Sequence, residues 1–271
     1  MVEGLHPGQV PQAEALGGKI AYIEAGRAEI SLDWRADLAD GQGLGIGAIT
    51  TMLDHVSGMA ASSGLLQAAS TATLDLRVDH LNPARAGSQI TARAHRYATG
   101  RGVAYVRAEA WDLDNQEMVA ASQGAFIIYV DDPVGLAKTA PNLEAFQAHV
   151  PYAAFLGARF EAADGVVTGH LPFSPHLIGN PVLPALHGGV IAGFLELAAR
   201  AQLFVSLGTG VIPSPANLRV DYLRPGRSIP TLARVEVTKL GRKISTVRAQ
   251  AVQEDRPIAT LTGTFLMGGQ T

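Results

Sequence analysis

The chain has 271 residues, 47% of them apolar and 17% charged, which is enough apolar material for one or two packed domains. Its 21 basic and 24 acidic side chains give a formal net charge of −3 with no basic block, so composition argues against a nucleic-acid partner. The absence of cysteine removes disulfides, thiolate catalysis and cysteine-based metal sites, and the lack of a basic-then-apolar leader or a long uninterrupted apolar run makes a cytoplasmic protein without a membrane partner the expectation.

In chain order, the first strand is expected near residues 26–34. After Gly47 the run AITTMLDHVSGMAASSGLLQ is long, mostly apolar and free of proline, and it shows no strand alternation. It reads as a helix buried on most faces. Strand-like segments follow, one of them inside LRVDHLNP at 76–83. A join is expected near 130–150, where DDPVGLAKTAPN carries turn residues and little apolar periodicity. The order then repeats. A strand is expected near 158–171, a second buried helix in VIAGFLELAARAQLFVS after Gly189, and strands at about 214–223, 229–239, 243–253 and 257–267. Arg224-Pro225-Gly226, Gly241-Arg242 and Asp255-Arg256-Pro257 read as the turns between them.

The repetition extends to identities. LRVDHLNP (76–83) and LRVDYLRP (218–225) share six of eight residues at an offset of 142. VRAEA (106–110) answers VRAQA (247–251) at 141, and GAF (124–126) answers GTF (263–265) at 139. The offset changes in polar stretches, where a change of length is least disruptive. Two units follow, 1–135 and 136–271. One long helix with a mainly antiparallel sheet is α+β, and a curved sheet wrapped around a central helix in each repeat is a double hotdog. The two copies are expected to pair edge to edge and imitate a two-fold dimer.

The chemistry concentrates where each helix begins. His187-Gly188-Gly189 opens the second helix. First-turn amides lack partners inside a helix, the dipole favours negative charge there, and glycine admits a ligand close to the backbone. Such a start can polarise a carbonyl and hold an oxyanion. Glu196 lies nine residues after His187, and Asp54 holds the same position in the first copy. A carboxylate among apolar neighbours is expected to be paired or used, and burial moves it toward a general base's range. Nine residues of helix span roughly 13 Å, so each acid suits the start of the other copy's helix rather than its own. The first copy has Gly45-Ile46-Gly47 and no histidine. The better-equipped site therefore joins His187, Gly188 and Gly189 with Asp54, and the weaker one joins 45–47 with Glu196. Arg77 with Asp79, and Arg219 with Asp221, read as solvated ion pairs.

At these residues the sequence resembles the phenylacetyl-CoA-type branch of the hotdog thioesterase superfamily, once in each half. The resemblance implies an acyl-CoA thioesterase. A Gly188 or Gly189 amide would polarise the thioester carbonyl, and Asp54, given across the repeat interface, would act as base or nucleophile. It implies that Asn180 helps place the water and that a hydroxyl at the start of the next strand assists. Thr73 fills that place in the first copy and Pro215 in the second. No metal or separate cofactor is implied, since CoA is part of the small-molecule substrate. Arg224 and Arg227 are the candidates for its phosphates, and a homo-oligomer of the fused unit fits the pattern. Two other readings stand beside it. The loop from His176 to Pro184 resembles that of hotdog acyl dehydratases, in which His176 and Glu196 would handle a β-hydroxyacyl group. A non-catalytic acyl-CoA binder would keep the pocket without needing the acids.

Overall fold

A computed structural model describes residues 10–40, 43–65, 71–128, 142–180, 182 and 184–267. The chain divides into two compact units, Met1–Asp132 and Pro133–Thr271. Unit one runs from α1 (Pro11–Leu16) through β1 (Lys19–Glu24), β2 (Arg27–Leu32), β3 (Ala39–Asp40) and β4 (Gly43–Leu44) to the long helix α2 (Ile46–Ser62). Strands β5 (Thr71–His80), β6 (Ile90–Gly100), β7 (Val103–Asp112) and β8 (Glu117–Ile128) complete it. Unit two has α3 (Leu143–Ala148), α4 (Pro151–Leu156), β9 (Arg159–Ala163), β10 (Val166–Leu171), β11 (Ile178–Asn180), β12 (Ala185–Leu186) and the long helix α5 (Gly188–Leu207). It ends with β13 (Ser214–Tyr222), β14 (Thr231–Lys239), β15 (Ile244–Gln253) and β16 (Arg256–Leu266).

The two sheets have one topology. Strand order is β1-β2-β6-β7-β8-β5 in unit one and β9-β10-β14-β15-β16-β13 in unit two, antiparallel throughout. Each unit packs its long helix against its own sheet. Ile49, Met52, Leu53 and Val56 of α2 are buried in the first core, and Ile191, Phe194, Leu195 and Leu203 of α5 in the second. By length and hydropathy α5 is the one helix among the described residues that could cross a membrane, yet here it is a core helix. The result is α+β, a double hotdog.

Four local features depart from the sequence reading. The stretch 158–171, expected as one strand, is the hairpin β9–β10, and β1–β2 likewise precedes α2. Asp164 and Gly165 both take positive φ (50° and 79°), the mirror-image turn that matches strand twist. Arg224-Pro225-Gly226 does not join neighbouring strands. It lies in a crossover from β13 to β14, which β16 and β15 separate in the sheet. The one-residue length change falls in that crossover, 81–89 against 223–230, and the two-residue change falls in the hairpin turn, 113–116 against 254–255. Short helices α3 and α4 follow the join. Asn142 starts α3 by accepting from Glu144 N and Ala145 N, and Phe146 and Leu156 anchor the pair in the core.

The repeated Gly-x-Phe has a packing cause. A Cβ on Gly263 would lie 2.8 Å from both the Phe265 ring and Leu218, and one on Gly124 would lie 3.2 Å from the Phe126 ring. In both units the phenylalanine folds back over the glycine, and a side chain there would displace it.

Candidate active site

The start of α5 is built by its neighbours. His187 is the N-cap, extended at φ −62° and ψ 132°, and its Nδ1 accepts from Gly189 N at 2.9 Å. An accepting Nδ1 requires the ring proton on Nε2. Val190 N and Ile191 N donate to the His187 carbonyl at 2.9 and 3.2 Å. That leaves the Gly188 amide without a hydrogen-bond partner among the described residues. The tripeptide thus offers one free glycine amide, not two equivalent ones. Gly179 permits the approach, because a Cβ there would sit 2.6 Å from His187 Cα.

Tyr222 holds the same peptide from the other side. Its hydroxyl donates to the Gly188 carbonyl at 2.8 Å, and its ring packs closely on that glycine, 3.3 Å from where a Cβ at 188 would lie. The sequence reading passed over this residue. Its signal was the mismatch inside the repeat, where LRVDY stands against LRVDH. In unit one His80 takes that position and its Nε2 lies 3.4 Å from Thr50 Oγ1. The start of α2 has Gly45 as N-cap and no side-chain cap.

The two acids stand in different surroundings. Thr73 Oγ1 donates to Asp54 Oδ1 at 2.9 Å, next to a bulge in β5 between Thr73 and Asp75. Glu196 is paired with Arg200, Nη1 to Oε1 3.3 Å, and Arg200 Nε also donates to the Pro213 carbonyl at 2.9 Å. Burial pushes the Glu196 carboxyl above its usual range, and Arg200 pulls it part of the way back. Two further groups shift. Burial raises the Asp75 carboxyl to about 6, and burial lowers the His55 imidazole against the opposing pull of its neighbour Asp54.

The remaining candidates are placed as follows. Asn180 ends β11, and its side chain lies outside the described residues. His176 sits in a 3-10 turn with both ring nitrogens engaged, Nδ1 2.9 Å from Ser174 Oγ and Nε2 3.0 Å from the Phe155 carbonyl. That imidazole fastens the loop to α4 and has no nitrogen left for a substrate. Arg224 donates to the Pro257 carbonyl at 2.6 Å, and Arg227 pairs with Glu254 at 2.5 Å. Both lie in the exposed crossover. Arg77–Asp79 and Arg219–Asp221 are exposed same-strand pairs at 3.0 and 3.1 Å. A cavity of about 830 Å³ in unit one, lined by Leu44, Ile49, His80 and Arg85, corresponds to one of about 330 Å³ in unit two, lined by Leu186, Gly188, Ile191 and Tyr222.

Known proteins resemble this chain one unit at a time. The family model described as thioesterase superfamily matches residues 46–119, and that described as acyl-CoA thioesterase N-terminal domain matches 180–266. Each span contains one of the long helices. The medium/long-chain acyl-CoA thioesterase YigI of Salmonella typhimurium is 31% identical over 147 residues, covering 46% of this chain and 90% of that protein. The YigI protein of Escherichia coli K12 matches with the same figures. Among solved structures, a Shewanella oneidensis protein related to the thioesterase superfamily is 33% identical, covers 46% of this chain and 92% of its own, and gives a TM-score of 0.41. The E. coli PaaI protein from the phenylacetic acid degradation operon is 24% identical, with 45% and 86% covered and a TM-score of 0.42. With one such unit in each half, the chain belongs to the thioesterase superfamily as a tandem hotdog protein and is a thioester hydrolase.

Proposed function

We propose that the chain hydrolyses acyl-CoA thioesters at a composite site in which Asp54 of unit one serves the start of α5 in unit two. Asp54 takes a proton from water as the water oxygen attacks the thioester carbonyl carbon. The Gly188 amide holds the oxyanion that forms. The carbon–sulfur bond then breaks, the proton passes to the departing thiolate, and a carboxylic acid and free CoA result. Preorganised donors aimed at developing charge are the largest contribution in reactions of this kind, and the activated thioester needs no metal.

The observation that carries the reading is the free Gly188 amide, adjoining the Gly188–Gly189 peptide that His187 and Tyr222 hold at two points. The Thr73–Asp54 hydrogen bond supports it by aiming the acid with a neutral donor. The names of the YigI relatives support an acyl group of medium or long chain. Arg224 and Arg227 remain candidates for the CoA phosphates, each able to exchange its present partner for a stronger anion.

The test is CoA release from a panel of acyl-CoAs, read with a thiol reagent. General-base catalysis contributes about 10²–10⁴-fold, so Asp54→Asn is expected to lower kcat by at least about 100-fold with KM little changed. Full activity in that variant would remove Asp54 from the mechanism.

A further inference from the structure

Asp54 and Glu196 occupy the same position of the two long helices, at an offset of 142. Two substitutions at that offset reverse their surroundings. Thr73, which donates to Asp54, is replaced by Pro215, which has no donor. Gly58, one turn after Asp54, is replaced by Arg200, which pairs with Glu196.

The Arg200–Glu196 pair differs from the other ion pairs among the described residues. Its side chains are 21% and 17% exposed, whereas every other pair has at least one partner more than half exposed. The guanidinium is held at a second point by the Pro213 carbonyl, and the i,i+4 spacing keeps the two side chains on one helix face. A shielded pair of this kind is screened little by solvent and is hard to break, since separation leaves one charge uncompensated.

We propose that Arg200 is a positioning residue that holds Glu196 as a structural anion, so that hydrolysis runs at one of the chain's two acids, the Asp54 carboxylate. A guanidinium fixed on a carboxylate oxygen stabilises the anion and weakens its hold on a proton from water. Burial raises the Glu196 carboxyl and Arg200 takes back part of that rise, while the ion pair occupies the oxygen that would accept the proton. The inference rests on the reading of Asp54 as the working base.

Steady-state hydrolysis of an acyl-CoA by the full-length chain tests it, with circular dichroism confirming the fold of each variant. Glu196→Gln alone should keep kcat within about twofold, where loss of a working base would lower it about 10²-fold or more. In the Asp54→Asn background, Arg200→Gln should raise kcat by at least about tenfold, and adding Glu196→Gln should abolish the gain. The recovered rate should rise along an acidic limb above that of the unmodified chain, because Glu196 then titrates under burial without its cation. Arg200→Lys, which keeps the charge, should give no recovery. A tenfold loss in Glu196→Gln alone would overturn the inference and leave the Asp54 reading intact. A folded Asp54→Asn/Arg200→Gln protein no faster than Asp54→Asn would also overturn it. Full activity in Asp54→Asn would overturn both.

Discussion

At the scale of single residues, the copies diverge where chemistry is concerned and agree where packing is. Asp75 in β5 corresponds to Asn217 in β13 at the offset of 142, two residues after Thr73 and Pro215. Burial raises the Asp75 carboxyl to about 6, so the folded chain keeps its proton through a range in which the unfolded chain has released it. Stability therefore falls as pH rises from about 4 to about 6 and stays lower above that. Asp75→Asn, which copies unit two, should match the unmodified chain in melting temperature below about pH 4 and exceed it by a few degrees at pH 8. A difference constant across pH would contradict the assignment. The helix starts, the paired acids and Thr73 were legible in the sequence because they stand at a fixed offset. Tyr222 was not, because it acts through a backbone carbonyl and its counterpart is a histidine. The pairing of Glu196 with Arg200 is an i,i+4 spacing on an otherwise apolar helix, whose apolar run is the stronger signal.

At the scale of elements, the long crossovers are tied down from the neighbouring strand. Gln253, at the end of β15, accepts from Arg227 N at 2.9 Å and donates to the Arg227 carbonyl, the Ile229 carbonyl and Thr231 Oγ1 at 2.9, 3.2 and 3.0 Å. In unit one Asp112, at the offset of 141, accepts from Arg85 N at 3.4 Å and from Asn115 Nδ2 at 2.8 Å. Two different side chains thus perform one task, fixing the loop that carries Arg227 or Arg85. Gln253 is buried, and its removal leaves several polar groups unmatched. Gln253→Ala should lower stability by about 2–3 kcal/mol, seen as a lower urea midpoint at unchanged m-value. A loss below about 0.5 kcal/mol would show that solvent replaces the clamp. The crossover was misread as a turn because Arg-Pro-Gly has turn composition in either setting, and order within a sheet is not a local property. The β9–β10 hairpin carries Asp-Gly as its local turn signal, inside a stretch whose apolar content reads as one strand.

For the molecule as a whole, the repeat was the most legible property, since a duplicated topology leaves identities wherever packing is tight. LRVD and Gly-x-Phe persist on β5 with β8 and on β13 with β16, and Gly124 and Gly263 explain the second of these. Charge contributes little to holding the fold. Apart from Arg200–Glu196, the ion pairs among the described residues are largely exposed, and each such pair is worth about 0–1 kcal/mol. Stability rests instead on the two apolar cores around α2 and α5. Raising NaCl from 0.05 to 0.5 M is expected to shift the melting temperature by no more than about 3 °C, because exposed pairs are weak and screened. A drop of 10 °C would mean that surface charge, not burial, carries the fold.

The identical strand order of the two units has an evolutionary consequence. In an assembly of separate identical subunits, any replacement appears at every symmetry-related position, so a change that ruins one reaction centre ruins them all. Joining the copies in one polypeptide lifts that restriction. Positions 215 and 200 hold proline and arginine, whereas the equivalent positions 73 and 58 hold threonine and glycine. Covalent linkage lets the two halves carry different residues at equivalent positions.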